Sequence, residues 1–378
     1  MKFSSLEEHL KNGLFIVGHG TGKNQNLPIL GNVLISCQRG EIKLSATNLE
    51  IGISCIVRGK VDVEGSFTVD AKILNDYITL LPNEKVDIEV LNQNLVISCA
   101  NYQTKIRGLQ ADDFPVIPQL ERVDAIKIDA QELRRSLNQV VFAVAGSETR
   151  MELSGVLLRV VDQTLVLVAT DSYRLAEKKI LLGMADIENS ALDISAIVPA
   201  KTIQELVRIL GGIKDELDGG AKQVEIYLSD NQVMFVYDSV ELVSRLIEGQ
   251  YPDYQQIIPQ NPKTRAEVEV EQFSRAVKAA ALFTKAGIND VNLDIPRSKN
   301  ELVISATSGQ TGENITKISA VTEGEDNFVV VNYRFLLDGI NTIAVDSVVL
   351  EVVDGNTPCV LKPKNQENYL YVIMPIKQ

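Results

Sequence analysis

The chain has 378 residues, is 45% hydrophobic and 23% charged, and carries a net charge of −13. That length suits two or three domains of ordinary size. No apolar run approaches the roughly 20 residues of a membrane-spanning helix. Acidic Glu7 and Glu8 stand where a signal peptide needs basic and then apolar residues, so a cytoplasmic protein with no membrane partner is expected.

The first periodic segment places Leu6, Leu10, Leu14 and Val17 on one face and predicts a helix over 5–16. Gly18-His19-Gly20-Thr21-Gly22-Lys23 follows; it lacks the spacing of a phosphate-binding loop and a preceding strand, and reads as a connection. A strand ends in Leu44-Ser45-Ala46-Thr47. Val69-Asp70-Ala71-Lys72-Ile73-Leu74 is a strand running into a helix predicted over 71–81. Val86, Ile88 and Val90 alternate, and Asn94–Cys99 closes the segment before Asp112-Asp113-Phe114-Pro115-Val116-Ile117-Pro118, a join that proline stiffens into extended chain.

The same landmarks then return. Leu133, Leu137, Val140, Val141 and Val144 predict a helix over 130–145, and Leu167-Val168-Ala169-Thr170 ends a strand. Val198-Pro199-Ala200-Lys201-Thr202-Ile203 leads into a helix over 200–210, followed by an acidic surface loop over 211–221, which takes no role. Gln232–Tyr237 alternates, and Tyr251-Pro252-Asp253-Tyr254, continuing to Pro259 and Pro262, forms a second join. Phe273, Val277, Ala280 and Ala281 predict a helix over 271–286; Ile304-Ser305-Ala306-Thr307 ends a strand; Val331-Asn332-Tyr333-Arg334 opens a helix over 332–343; Pro358–Lys362 closes. Three landmarks in the same order, three times, define an α+β repeat of about 120 residues that opens on a helix.

Catalytic chemistry has little to stand on. Cys37, Cys55, Cys99 and Cys359 have no metal-ligand spacing and sit in apolar, strand-like contexts, so buried reduced thiols are expected. An acid–base set of Asp171 or Asp253 with Arg174 lacks a partner base, since His9 and His19 are the only histidines. No catalytic residue, metal or cofactor is expected.

An acidic chain is a poor match to phosphate, which usually meets a basic patch. On the six helical windows, however, the sign reverses. Lys11, Lys72, Arg134, Arg135, Lys201, Arg208, Arg275, Lys278, Lys285 and Arg334 outnumber Glu7, Glu8, Asp76, Glu132, Glu205, Glu271 and Asp338, although the whole chain has 50 acids and 37 bases. The second helix of every copy begins with a base, Lys72, Lys201 or Arg334. If the helices share one face, it can touch duplex phosphates weakly and without reading sequence, with Lys72, Arg134, Arg135, Lys201, Arg208, Arg275, Lys278 and Arg334 as candidate contacts. The competing reading is an ordinary solvated helix surface.

Four stretches carry a family resemblance: Leu27-Pro28-Ile29-Leu30-Gly31-Asn32-Val33-Leu34, Ala169-Thr170-Asp171-Ser172-Tyr173-Arg174-Leu175-Ala176, Tyr251-Pro252-Asp253-Tyr254, and Tyr371-Val372-Ile373-Met374-Pro375. In this order, over essentially the whole chain, they resemble the beta subunit of bacterial DNA polymerase III, the sliding clamp. The resemblance implies three repeated clamp domains at 1–122, 123–257 and 258–378, each with two helices packed on antiparallel sheets. It also implies a head-to-tail homodimer that closes as a ring on double-stranded DNA, a non-catalytic processivity factor. The implied partners are a replicative polymerase subunit, the clamp-loader ATPase and other proteins carrying a clamp-binding motif.

The resemblance further implies a peptide-binding pocket near the C-terminus. One half would be Leu153, Thr170, Ser172, Tyr173, Arg174, Leu175, Pro252, Ile257, Val372 and Met374; the other Asn332, Phe335, Pro358, Pro375, Ile376 and Lys377. Apolar side chains with aromatic anchors suit that job, and Arg174 and Lys377 can meet an acidic group at the rim. Family members often carry Gly-His where this chain has Ser172-Tyr173. They also carry a base just before the Leu-Pro-Ile-Leu-Gly-Asn stretch, a place where Lys23 could substitute as a DNA contact. A repeat-built interaction scaffold that never encircles DNA is the alternative.

Overall fold

The computed structural model describes residues 1–22, 26–146, 149–186, 194–212, 222–285 and 287–377. Among them stand six α-helices: α1 (Glu7–Gly18), α2 (Ala71–Thr79), α3 (Ala130–Val141), α4 (Ala200–Gly212), α5 (Val270–Ala281) and α6 (Tyr333–Thr342). Each lies in a predicted window to within a few residues. Side-chain caps start several of them by satisfying free N–H groups of the first turn. Asp70 accepts from Ile73 N at 2.8 Å, Asp129 from Glu132 N at 2.8 Å, and Asn332 from Arg334 N at 2.9 Å. Helix α5 stops at Ala281, whose carbonyl accepts from the Thr284 hydroxyl at 3.0 Å, so Lys285 lies beyond the helix.

Each copy opens on a strand rather than on its first helix: Lys2–Leu6, Ile126–Asp129 and Thr264–Glu269. These strands are too short for their alternation to stand out, and the helical period begins directly after them. Copies two and three then hold the same order of elements: helix, four strands, helix, three strands. Copy one differs in one respect. Ile51–Val57 and Gly59–Val63 are separate strands where copy three has a single strand, Gly312–Gly324.

Packing groups these elements into two compact units. The first comprises Met1–Arg134, Gly183–Ala191 and Lys201–Leu246. Its sheet runs in the order Ile126–Asp129, Gln223–Leu228, Gln232–Tyr237, Val240–Arg245, Ile51–Val57, Glu41–Thr47, Asn32–Gln38, Gly65–Asp70, Tyr102–Leu109, Asn94–Cys99, Lys85–Leu91, Lys2–Leu6, Gly59–Val63. The second comprises Arg135–Leu182, Leu192–Ala200 and Ile247–Gln378. Its order is Ile194–Pro199, Gly155–Val161, Thr164–Thr170, Arg174–Leu181, Tyr369–Ile373, Cys359–Pro363, Ser347–Val352, Thr264–Glu269, Gly312–Gly324, Glu301–Ser308, Asp290–Ile295, Asn327–Asn332. All recorded pairings are antiparallel, and the middle copy contributes strands to both sheets.

In the first unit Leu10, Leu14 and Val17 of α1 are buried with Leu44, Ala46 and Ile53; in the second, Phe273 and Val277 of α5 are buried with Leu293, Ile304 and Leu336. Each of these side chains larger than alanine contributes about 1.5–3 kcal/mol by leaving water. The four cysteines are free and buried, as expected from their apolar settings.

Candidate functional site

The site grows from the turn that closes the second Ala-Thr landmark. The Thr170 hydroxyl donates to the Arg174 carbonyl at 2.6 Å and accepts from Ser172 N at 3.2 Å. Asp171 Oδ1 accepts from Tyr173 N and Arg174 N at 2.9 and 3.0 Å. Ser172 is left at φ +76°, a conformation that favours glycine. Copy one builds the same turn. Thr47 donates to Ile51 O at 2.7 Å, Asn48 accepts from Glu50 N and Ile51 N at 2.9 Å, and Leu49 sits at φ +76°. In copies one and two the landmark threonine is therefore a turn-closing hydroxyl, and in the second unit the turn thrusts Tyr173 outward, 65% exposed.

Behind Tyr173, the Arg174 guanidinium is engaged through all three of its nitrogens. Nε donates to Asp171 at 3.0 Å, Nη1 to Asp338 of α6, and Nη2 to the Phe142 carbonyl at 3.0 Å. It lies over the Phe335 ring at 4.7 Å and the Phe142 ring at 5.5 Å. The rim role expected for Arg174 is corrected accordingly. Each of its three nitrogens bonds within the chain and the side chain is largely buried, so it fixes the turn to α6 and to the end of α3. Burial works against its charge, but Tyr371, Asp338 and Asp171 outweigh this and hold the guanidinium above its ordinary range.

The tail completes the arrangement. Strand Tyr369–Ile373 pairs with Arg174–Leu181, setting Ile373 opposite Arg174 and Val372 opposite Leu175. Beyond it, Met374 N donates to Tyr173 O at 2.9 Å and Ile376 N to Val330 O at 2.7 Å. Gly339 of α6 faces the Tyr371 ring with no room for a side chain, so the helix sits directly on the strand. The Tyr371 hydroxyl donates to Phe335 O at 2.9 Å, and the Phe335 and Tyr173 rings lie 6.5 Å apart at 26°. Tyr173 thus meets Phe335 and Met374 at one turn, and Met374, Pro375 and Ile376 are half-buried along the tail.

The remaining residues from the resemblance fall into three groups. Leu153, Thr170, Leu175 and Val372 are buried; Leu175 and Val372 share an apolar cluster with Tyr254 and Val360 and act as support. Asn332, Pro358 and Pro252 are half-buried; Asn332 caps α6, Pro358 enters the strand paired to Ile373, and Pro252 is flanked by Tyr251 and by Tyr254, whose hydroxyl donates to buried Glu177 at 2.7 Å. Ser172, Ile257 and Lys377 are exposed, and no contact ties Lys377 to the turn among the described residues. Sequence reasoning missed Arg150, whose Nη1 donates to Ser172 Oγ at 3.3 Å, and the network members Phe142, Asp338 and Tyr371. Tyr371 stood in a resemblance stretch and Asp338 among the helix acids without a role, and Phe142 recurs near the end of each copy's first helix as Phe15 and Phe283.

Of the candidate phosphate contacts, Lys72, Lys201 and Arg334 are exposed on the first turns of α2, α4 and α6. A cation at a helix N-terminus opposes the macrodipole at about 0.3–1 kcal/mol. Arg134, Arg135, Arg275 and Lys278 are exposed on α3 and α5, with Arg275 paired to Glu271 one turn away. Arg208 is a correction. Its Nε donates to Glu205 at 2.7 Å, and Nη1 and Nη2 donate to the Phe15 and Ile16 carbonyls at 3.0 and 2.8 Å. It caps α1, and its guanidinium is held against the chain by all three nitrogens instead of being free on the helix surface. Lys23 lies outside the described residues.

Family models match nearly the whole chain: "DNA polymerase III beta subunit, N-terminal domain" over residues 1–118, the central domain over 127–253 and the C-terminal domain over 255–377. The chain is 28% identical over 380 residues to the beta sliding clamp of Synechococcus elongatus, covering 100% of this chain and 99% of that one. It is 30% identical over 389 residues to that of Staphylococcus epidermidis, with coverage of 100% and 99%. Among solved structures, the Bacillus subtilis DNA polymerase sliding clamp superposes with a TM-score of 0.90 at 28% identity, covering 100% and 99%. A Pseudomonas aeruginosa sliding clamp bound to griselimycin gives 0.92 at 27% identity, covering 100% of both chains.

Proposed function

The chain belongs to the DNA polymerase III beta subunit family, and on that premise we propose that it is a sliding clamp. As a homodimer it encircles double-stranded DNA and tethers the replicative polymerase. The clamp-loader ATPase and other proteins carrying a clamp-binding motif dock at the same peptide site. It works by binding and not by catalysis.

The observation that carries this reading is the apposition of Tyr173, Phe335 and Met374 around Arg174, with half-buried Pro375 and Ile376 next along the tail. Such a surface takes the leucine or phenylalanine of a short peptide, and rigid aromatic anchors lose little freedom on binding. On the DNA side, a base recurs at the start of α2, α4 and α6 against the local helix dipole. Exposed bases there suit phosphate contacts that are individually weak. Encirclement supplies retention, so weak contacts suffice and sliding stays free.

Loaded protein should remain on a nicked circle and run off once the circle is linearised. Equal loss from both substrates would overturn encirclement and favour a scaffold that does not surround DNA.

A further inference from the structure

In the first unit the connection Gly18-His19-Gly20-Thr21-Gly22 borders a cleft of about 370 Å³ between the end of α1 and the start of α2. That volume falls within the range of about 300–1,000 Å³ of small-ligand sites. Glycines of two kinds stand around it. A side chain on Gly20 would meet Ile53 at 3.2 Å and one on Gly22 would meet Asn48 at 3.0 Å, so both are glycine for packing. Gly18 and Gly31 have no such reason. A side chain on Gly18 would meet nothing within 4 Å, and one on Gly31 only the Gly22 carbonyl at 4.0 Å. Neither has the positive φ that favours glycine, and Gly18 ends a helix, where glycine is a poor choice. Bare backbone at these two positions keeps the cleft open.

The side chains that line it offer three different kinds of contact. The Phe15 ring is 47% exposed; Arg208 lies over one face at 5.0 Å, and the His19 ring stands edge-on at 6.2 Å and 64°. A ring held from behind and open in front is a stacking platform for a base. Across from α1, the Asn75 side chain lines the cleft with no hydrogen bond among the described residues. Its amide offers one acceptor and one donor group, the pattern that the amino group and N7 of adenine complement. Asp70 spends one oxygen on the Ile73 N–H and keeps the other to accept. Lys72 is exposed and has no ion pair among the described residues, so its ammonium is free for a phosphate.

We propose that this cleft binds an unpaired adenine nucleotide, its base stacked on Phe15 and read at the edge by Asn75, its phosphate against Lys72. Paired duplex DNA does not supply such a ligand, because its bases are stacked and their edges engaged. A free mononucleotide supplies it, and so does an unstacked base of a single strand. The cleft belongs to the first unit and the Tyr173 turn to the second, so the two sites use no residue in common. The nucleotide site stands whether or not the chain encircles DNA.

The test titrates the full chain with adenosine 5′-monophosphate by calorimetry and with a fluorescein-labelled strand of ten deoxyadenosines by anisotropy. Phe15→Leu should weaken binding about fivefold to a hundredfold, the loss of one stacked base. Gly18→Leu places a side chain in the cleft and should abolish binding, while a melting temperature no lower than the parent's separates blocking from misfolding. Binding of both probes supports the site. Binding of the strand alone supports it and assigns the nucleotide to single-stranded DNA; binding of the mononucleotide alone supports it and assigns a free nucleotide. Strand binding that an abasic strand of equal length matches, or binding that survives Gly18→Leu, overturns the proposal. Binding of neither probe at millimolar concentration overturns it as well. Retention of the parent chain on a nicked circle is a separate measurement, so failure here leaves the clamp reading standing.

Discussion

Met374 N donates to the Tyr173 carbonyl at 2.9 Å, so the chain's tail and the exposed turn of the middle copy are held in one register. The bond continues the pairing of Tyr369–Ile373 with Arg174–Leu181 by one residue. The Tyr173 side chain is thereby free to meet a ligand while its backbone is fixed. Energetic contributions to binding and to folding are separable at this residue.

Tyr173→Ala tests that separation. The side chain is 65% exposed, so stability should change by less than about 0.5 kcal/mol. Affinity for a labelled peptide ending in leucine and phenylalanine should fall about tenfold, the loss typical of an aromatic anchor. Fluorescence anisotropy with an unchanged affinity would remove Tyr173 from the site.

Arg174→Ala should act through the fold. The guanidinium is mostly buried and joins Asp171, Asp338 and the Phe142 carbonyl. Removing one member of such a network costs about 2–4 kcal/mol, discounted here because Asp338 is half exposed. Arg174→Lys keeps the charge and loses the fork, so most of the loss should remain. Denaturant unfolding reads both, and an alanine variant as stable as the parent would contradict the network.

Two classes of helix base should separate by their response to salt. Lys72→Glu and Lys201→Glu should weaken direct binding to short linear duplexes most at low salt and flatten its salt dependence by about one phosphate contact each. Arg208→Ala should lower stability, because it uncaps α1, and leave the salt slope unchanged. A lysine variant with the parent's slope would show that those bases do not meet phosphate.

The alkaline limit of stability follows from buried acids that titrate late. Burial pushes the thiols of Cys37 and Cys55 up to about 11 and that of Cys359 up to about 12, from an ordinary 9.0. Burial also raises Tyr251, Tyr254, Tyr369 and Tyr371 from an ordinary 10.0. Above those ordinary values the unfolded chain releases protons that the folded chain keeps. Their contribution is thus complete below about pH 9 and is lost as pH rises toward the folded values. Thermal melts should fall steadily above pH 9, with absorbance at the phenolate band rising cooperatively at unfolding. Independent early titration of these tyrosines in the folded chain would contradict their burial.

Much of this was legible in the amino-acid order, because it is periodic. Apolar spacing located all six helices, and the Ala-Thr landmark located the turn that carries Tyr173. What spacing cannot express is which partner a cation finds. Arg208 and Lys201 lie on one helix and look alike in sequence, yet one caps carbonyls of α1 and the other faces water. Arg174 looked like a rim residue for the same reason. Its partners Phe142 and Asp338 are 32 and 164 residues away along the chain. The short opening strands were hidden because Leu6 fits both the strand and the helical period that follows.

The close seating of α6 on the tail strand has a consequence for the aromatic pair of Tyr173 and Phe335. Gly339 meets the Tyr371 ring with no space for a methyl group. Any larger residue there must lift the helix from the strand, and Phe335 on the same helix would be carried away from Tyr173. A glycine that is itself buried therefore sets the spacing of two rings at the surface.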